Sequence, residues 1–174
     1  LALSQERPDD DRLSFSARPE TRLRDLRVAR SGTLNDADSL RRIALEGLTI
    51  QGSVYLQGEW LLANAARSER PDFDAAGWYV QGGWLSGGAM RGYRNGVIQG
   101  TDRGGVLELG ARVAQIDLND GAVRGGRARS LAAVASWYFT PDVRAMLGYS
   151  RANILDGGQK GDVSTLELRL QYVF

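Results

Sequence analysis

The sequence predicts an all-β fold, an antiparallel up-and-down β-barrel that crosses a membrane, with about eight strands in these residues. Three observations carry this. Apolar residues recur at every second position in segment after segment, which is the strand period. One of the two faces so defined is nearly free of charge and holds the tryptophans, while the other carries glutamates and arginines. No stretch has the helical period, so no helix can cover the apolar face, whereas lipid can.

Taken in order, "DRLSFSARPETRLR" sets Leu13, Phe15 and Ala17 against Arg12, Ser14, Ser16 and Arg18. "RRIALEGLT" sets Ile43 and Leu45 against Arg42, Ala44 and Glu46, and "SVYLQGEWLL" sets Val54, Leu56, Trp60 and Leu62 against Tyr55, Gln57 and Glu59. "AGWYVQGGWLS" puts Trp78, Val80, Gly82 and Trp84 on one face, and "GVLELGARV" does so with Leu107, Leu109, Ala111 and Val113. In "SLAAVASWYF" the apolar set is Leu131, Ala133, Ala135, Trp137 and Phe139. In "DVRAMLGYS" it is Val143, Ala145, Leu147 and Tyr149, opposed by Arg144, Met146, Gly148 and Ser150. The closing "LELRLQYVF" alternates Leu166, Leu168, Leu170, Tyr172 and Phe174 with Glu167, Arg169, Gln171 and Val173.

Connections alternate as well. Segments near 28–39, 65–73, 119–127 and 156–162 read as long and polar, and those at 51–52 and 139–142 as short. The stretch "GGAMRGYRNGVIQGTDRGG" is a long exception on the short side. That parity suits an up-and-down membrane barrel better than the crossing connections of a soluble sandwich.

The 174 residues make one domain, 1–174. The chain opens "LALSQERPDDDR", with neither Met nor signal peptide, so an amino-terminal part is expected to precede it. Cys and His are absent, which removes thiol chemistry, most zinc sites and every Ser-His or Cys-His arrangement. With 22 basic and 21 acidic residues, nothing suggests a nucleic-acid surface. Lys160 is the sole lysine, the other basic residues being arginine, which grips phosphate or carboxylate through paired hydrogen bonds. A GC-rich genome would give the same bias.

Other motifs point to no enzyme, metal or cofactor. "DLNDG" at 117–121 resembles part of a calcium loop but lacks its full pattern, and Asn-Asp-Gly is ordinary turn chemistry. Gly82, Gly83, Gly87 and Gly88 lack the Gly-Lys-Ser/Thr of a phosphate loop. Asp72 and Asp74 of "RPDFD" read as a solvated loop, with no His to act as base. Arg12, Arg18, Arg22 and Arg24 share one parity, so a continuous strand would stack them toward the lumen; alternatively the strand ends at Pro19 and the later arginines lie in a solvated loop.

The ordered blocks "ARPETRLRDLRVARSGTLNDADSLRRIALEG", "GWYVQGGWLSGGAMRGYRNGVIQG", "LELGARVAQIDLNDG" and "SWYFTPDVRAMLGYSRA" resemble the carboxy-terminal half of the phosphate-selective porin O/P family. The resemblance implies a homotrimeric sixteen-stranded porin of the Gram-negative outer membrane, of which these residues form half. It implies passive, water-filled diffusion of small anions, with phosphate or polyphosphate as candidates. The anion path would then use the lumen-facing Arg12, Arg18, Arg22, Arg24, Arg42, Arg112, Arg144 and Arg169. Leu168, Leu170, Tyr172 and Phe174 resemble the terminal signal read by the barrel-assembly machinery, besides facing outer-membrane lipid. The family's constriction loop belongs mostly to the amino-terminal half. The alternative is a complete eight-stranded barrel, filled by side chains, serving as a structural anchor or adhesin without a conducting pore.

Overall fold

Alternation sets the pairing of strands, because a slip of one residue would carry every apolar side chain to the wrong face. The computed structural model describes residues 1–8, 10–18, 27–156 and 159–173. Its strands are β1 (Ala2–Glu6), β2 (Arg12–Ala17), β3 (Ala29–Asn35), β4 (Ala37–Gln51), β5 (Val54–Arg67) and β6 (Phe73–Leu85). They continue with β7 (Tyr93–Arg94), β8 (Val97–Ile98), β9 (Val106–Asp120), β10 (Val123–Tyr138), β11 (Val143–Asp156) and β12 (Gln159–Tyr172). Among the described residues there is no helix.

One antiparallel 8-stranded sheet runs β1-β4-β5-β6-β9-β10-β11-β12, and β2-β3 and β7-β8 form separate 2-stranded sheets. Among the described residues the large sheet is open, with β1 and β12 at its edges. Its register links Val54 to Trp84, Trp84 to Leu109, Leu109 to Ala135, Ala135 to Leu147 and Leu147 to Leu168. One face is therefore apolar from β5 to β12, and it is exposed: Leu147 is 51% accessible, Leu168 80% and Leu170 74%. Each such side chain left in water forgoes about 1.5–3 kcal/mol of burial. This face is called the outer face below.

The apolar band has clear limits. Toward the end bearing Val173, the outer face carries Trp84, Trp137, Phe139 and Tyr172, all exposed. Toward the far end, polar residues take over in two rows, Arg41, Asn64 and Asp74 on one side of the sheet and Gln115, Arg129, Asn153 and Asp162 on the other, offset by four residues along β6, where Gln115 pairs with Trp78. From Leu166 to Tyr172 the band runs roughly 20 Å along β12 at about 3.3 Å per residue.

Three sequence expectations need correction. The first strand of the sheet is β1, whereas the segment starting at Arg12 forms the β2–β3 hairpin, so Arg12 and Arg18 are not wall residues. Leu13, Phe15 and Ala17 pack this hairpin onto the inner face of the sheet, which explains their alternation equally well. The long loops near 28–39 and 119–127 are largely strand: β3 occupies 29–35, and only Gly121 and Ala122 separate β9 from β10. Likewise β12 begins at Gln159, inside the segment read as a loop at 156–162. Pairing continues beyond the apolar band, where the outer face turns polar and the inner face packs against the β2–β3 hairpin, so the simple apolar-out alternation is lost.

The packed cores lie on the inner face. At the far end, Leu34, Leu40, Ala65, Phe73 and Leu118 are buried beneath the β2–β3 hairpin, with the Phe15 and Phe73 ring centroids 5.5 Å apart. Val28, Ala128 and Ala152 extend this contact toward β11. At the other end, the excursion 86–105 covers Tyr55, Leu85, Val106 and Tyr138, burying Ala89 and packing Ile98 against them. Asn95 and Gly96, with φ of 52° and 79°, make the tight turn of β7–β8, a backbone shape that Asn-Gly adopts readily.

Candidate functional site

The inner face between these two covers carries Glu46, Glu59, Glu108, Arg112, Arg144, Glu167 and Arg169. Glycine shapes it. A Cβ at Gly83 would lie 2.7 Å from the Tyr55 hydroxyl, so only glycine lets the tyrosine ring lie flat across β6. Tyr55 thereby reaches Glu108 on β9.

Glu108 is 1% exposed and fully engaged. Its Oε1 accepts from the Tyr55 hydroxyl at 2.8 Å and from Arg91 Nε and Nη2 at 3.0 and 2.6 Å. Its Oε2 accepts from the Tyr138 hydroxyl at 2.7 Å. Arg144 Nη1 donates to that same hydroxyl at 2.8 Å, and Arg144 Nε and Nη2 donate to Gln171. Arg91 belongs to the 86–105 excursion, and its guanidinium sits 4.9 Å from the Tyr55 ring centre. Buried charges persist when they are paired and hydrogen-bonded, and here the pair ties the excursion to the wall.

A second network crosses from β4 to β9. Gln57 donates to Glu46 at 2.7 Å, Gln81 donates to Gln57 at 2.8 Å, and Arg112 Nη1 donates to Gln81 at 2.8 Å. The Arg112 guanidinium also lies 3.8 Å from the centre of the Tyr79 ring. The arginine is thus held at a fixed place on the wall. Beside it, a cavity of about 330 Å³ opens over Gly110 and Gly148, bounded by Tyr55, Arg91, Arg112 and Arg169.

The remaining sequence candidates fall as follows. Arg42 pairs with Glu6 at 2.6 Å, and Arg169 pairs with Glu167 at 2.7 Å, both near the edges of the sheet. Arg12 and Arg18 are exposed, alternating with the hairpin residues that pack onto the sheet. Arg22, Arg24 and Phe174 lie outside the described residues. Leu168, Leu170 and Tyr172 are exposed on the outer face. Asp117 accepts from Arg127 and Asp120 from the Asp74 amide, so both carboxylates of "DLNDG" serve strand-end contacts. Arg91 escaped the sequence reading because it lies in a stretch with no period. Gln57, Gln81, Tyr55 and Tyr138 had the right parity but no charge to draw attention.

The described residues thus build one antiparallel sheet with an exposed apolar face on one side and hydrogen-bonded arginines on the other. The family model described as phosphate-selective porin O and P matches residues 5–174, and the chain belongs to that family. A comparison with curated proteins found no match.

Proposed function

We propose that the chain forms the carboxy-terminal half of an outer-membrane porin. The pore would be a water-filled channel through which small anions, phosphate or polyphosphate among them, diffuse passively. The porin would be homotrimeric, surrounded by outer-membrane lipid and inserted by the barrel-assembly machinery through the Leu168, Leu170, Tyr172 and Phe174 strand. One observation carries this reading: an apolar, exposed face and an arginine-bearing face lie back to back across a single sheet.

In such a pore Arg112, Arg144 and Arg169 would lower the barrier to anions while their partners Gln81, Gln171 and Glu167 hold them in place. Spaced arginines, rather than one enclosing cage, suit conduction, since the solute must also leave. Arg12 and Arg18, on or beside the β2–β3 hairpin, would add positive charge at the far-end mouth.

Single-channel recording of the full-length protein under a salt gradient tests this. Changing Arg12, Arg18 and Arg22 to Glu should shift the reversal potential toward cations, with the shift shrinking at high salt as exposed charges are screened. An unchanged potential would place the filter elsewhere. A folded wild-type protein that passes no ions would leave the structural anchor or adhesin instead.

A further inference from the structure

On the outer face, where the apolar band ends, Arg151 of β11 shares the last row with Leu131, and Arg129 and Arg127 of β10 stand just past it, with Arg124 one step farther out. Pairing sets Arg129 opposite Asn153 and Arg151 opposite Leu131. Arg129 and Arg151 are therefore diagonal neighbours, about 7–8 Å apart. Arg127 stands two residues along β10 from Arg129, about 7 Å away. All of these arginines are exposed. Arg127 and Arg151 stay 52% and 55% exposed even though they pair with Asp117 and Asp162. Those two carboxylates leave the cluster of Arg124, Arg127, Arg129 and Arg151 with an excess of positive charge.

Directly below, the same face is apolar and open: Leu131 is 62% exposed, Tyr149 50% and Leu166 71%. At the opposite end of the band, among the described residues, the outer face of β10, β11 and β12 has aromatic residues and no arginine. Long arginine stems can lie on apolar surface while their guanidinium groups reach a polar layer. Planar guanidinium groups at this spacing match the oxygens of a phosphate.

We infer that this cluster docks the phosphorylated headgroup of a membrane lipid, whose acyl chains run over Leu131, Leu147, Tyr149 and Leu166. A free phosphate would gain nothing from that adjoining apolar surface; a lipid uses both. The inference rests on the reading that the outer face meets lipid, but not on the solute that the pore carries.

The test uses the full-length protein in non-ionic detergent, following its thermal unfolding while phosphatidic acid, diacylglycerol of the same chains, or inorganic phosphate is added. Phosphatidic acid should stabilise the wild type, and the other two should give little shift. R129Q/R151Q should weaken the apparent affinity for phosphatidic acid about 25-fold, at about fivefold per arginine. If that variant fails to fold, R129K/R151K should still lose several-fold through the missing bidentate geometry. An unchanged affinity in whichever variant folds, or a full shift with inorganic phosphate alone, would overturn the inference. Single-channel recording separates it from the porin reading. An unaltered reversal potential in R129Q/R151Q supports a site off the solute path, and a shifted one would place these arginines in the pore. Loss of conductance from the wild type would count against the porin alone.

Discussion

Glu108 offers the sharpest perturbation, because its carboxylate joins the 86–105 excursion to the wall. E108A would leave Arg91 without its carboxylate and the Tyr55 and Tyr138 hydroxyls without their acceptor. Removing one partner of a buried ion pair costs about 3–5 kcal/mol. Arg91 is 16% exposed and can regain some water, which puts E108A near the lower end. R91M strands a carboxylate that is 1% exposed and should cost more. In R91M/E108L both charges vanish together; the Tyr55 hydroxyl and the Gln99 carbonyl lose a partner, at about 1–3 kcal/mol each if no water reaches them, while the Tyr138 hydroxyl still accepts from Arg144. The double variant should therefore be at least about 2 kcal/mol more stable than the sum of the single effects implies. Urea unfolding of the full-length protein in micelles, followed by tryptophan fluorescence, measures the cycle. Trypsin cleavage after Arg94, exposed near the hairpin turn, reports locally and should accelerate in E108A. A coupling below about 0.5 kcal/mol would show that the pair does not hold the excursion.

Two further predictions follow from burial and charge. Cysteines at Leu147, Trp137 and Leu168 should resist a water-soluble thiol reagent in membranes, whereas those at Arg144 and Arg169 should react; equal labelling would refute the assigned faces. A cysteine at Ser136 should react slowly despite its polar parity, because Ser136 is 2% exposed. Asp36 tests the anchoring of the β2–β3 hairpin: burial raises its carboxyl pKa, but the Arg67 hydrogen bond and charge more than offset this and hold it below the ordinary 3.8. Its contribution is therefore present above pH about 4 and lost as pH falls through the depressed value. Proteolysis of the hairpin should rise in that acidic window, and D36N should show the same looseness at neutral pH without the acid step. An acid step of equal size in D36N would assign the effect to another group.

Much of the wall was legible. Leu45, Trp60, Trp84, Leu109, Leu147 and Leu168 each announced their face through period two, and the register brings them together because antiparallel partners share a face. The strand limits were not legible. Near 119–127 and 156–162 glycines and polar residues interrupt the alternation, with Val123 the one apolar side chain packed on the core in the first stretch, so little in the pattern distinguishes a paired strand from a loop. Parity also misled at Arg12–Ala17, since an amphipathic hairpin packed on a sheet alternates as a wall strand does.

The sequence by itself determined which residues of β4–β6 and β9–β12 share the apolar face, because that depends only on the alternation of side chains along an extended backbone. It also determined the absence of thiol and imidazole chemistry. The tertiary structure alone decided that β2–β3 and 86–105 fold onto the inner face, that Arg91 meets Glu108, and that Arg127, Arg129 and Arg151 gather at one rim. Those relations join residues distant in sequence or on neighbouring strands. They depend on register, on the pairing of particular charges and on which surfaces remain open, none of which a local pattern encodes.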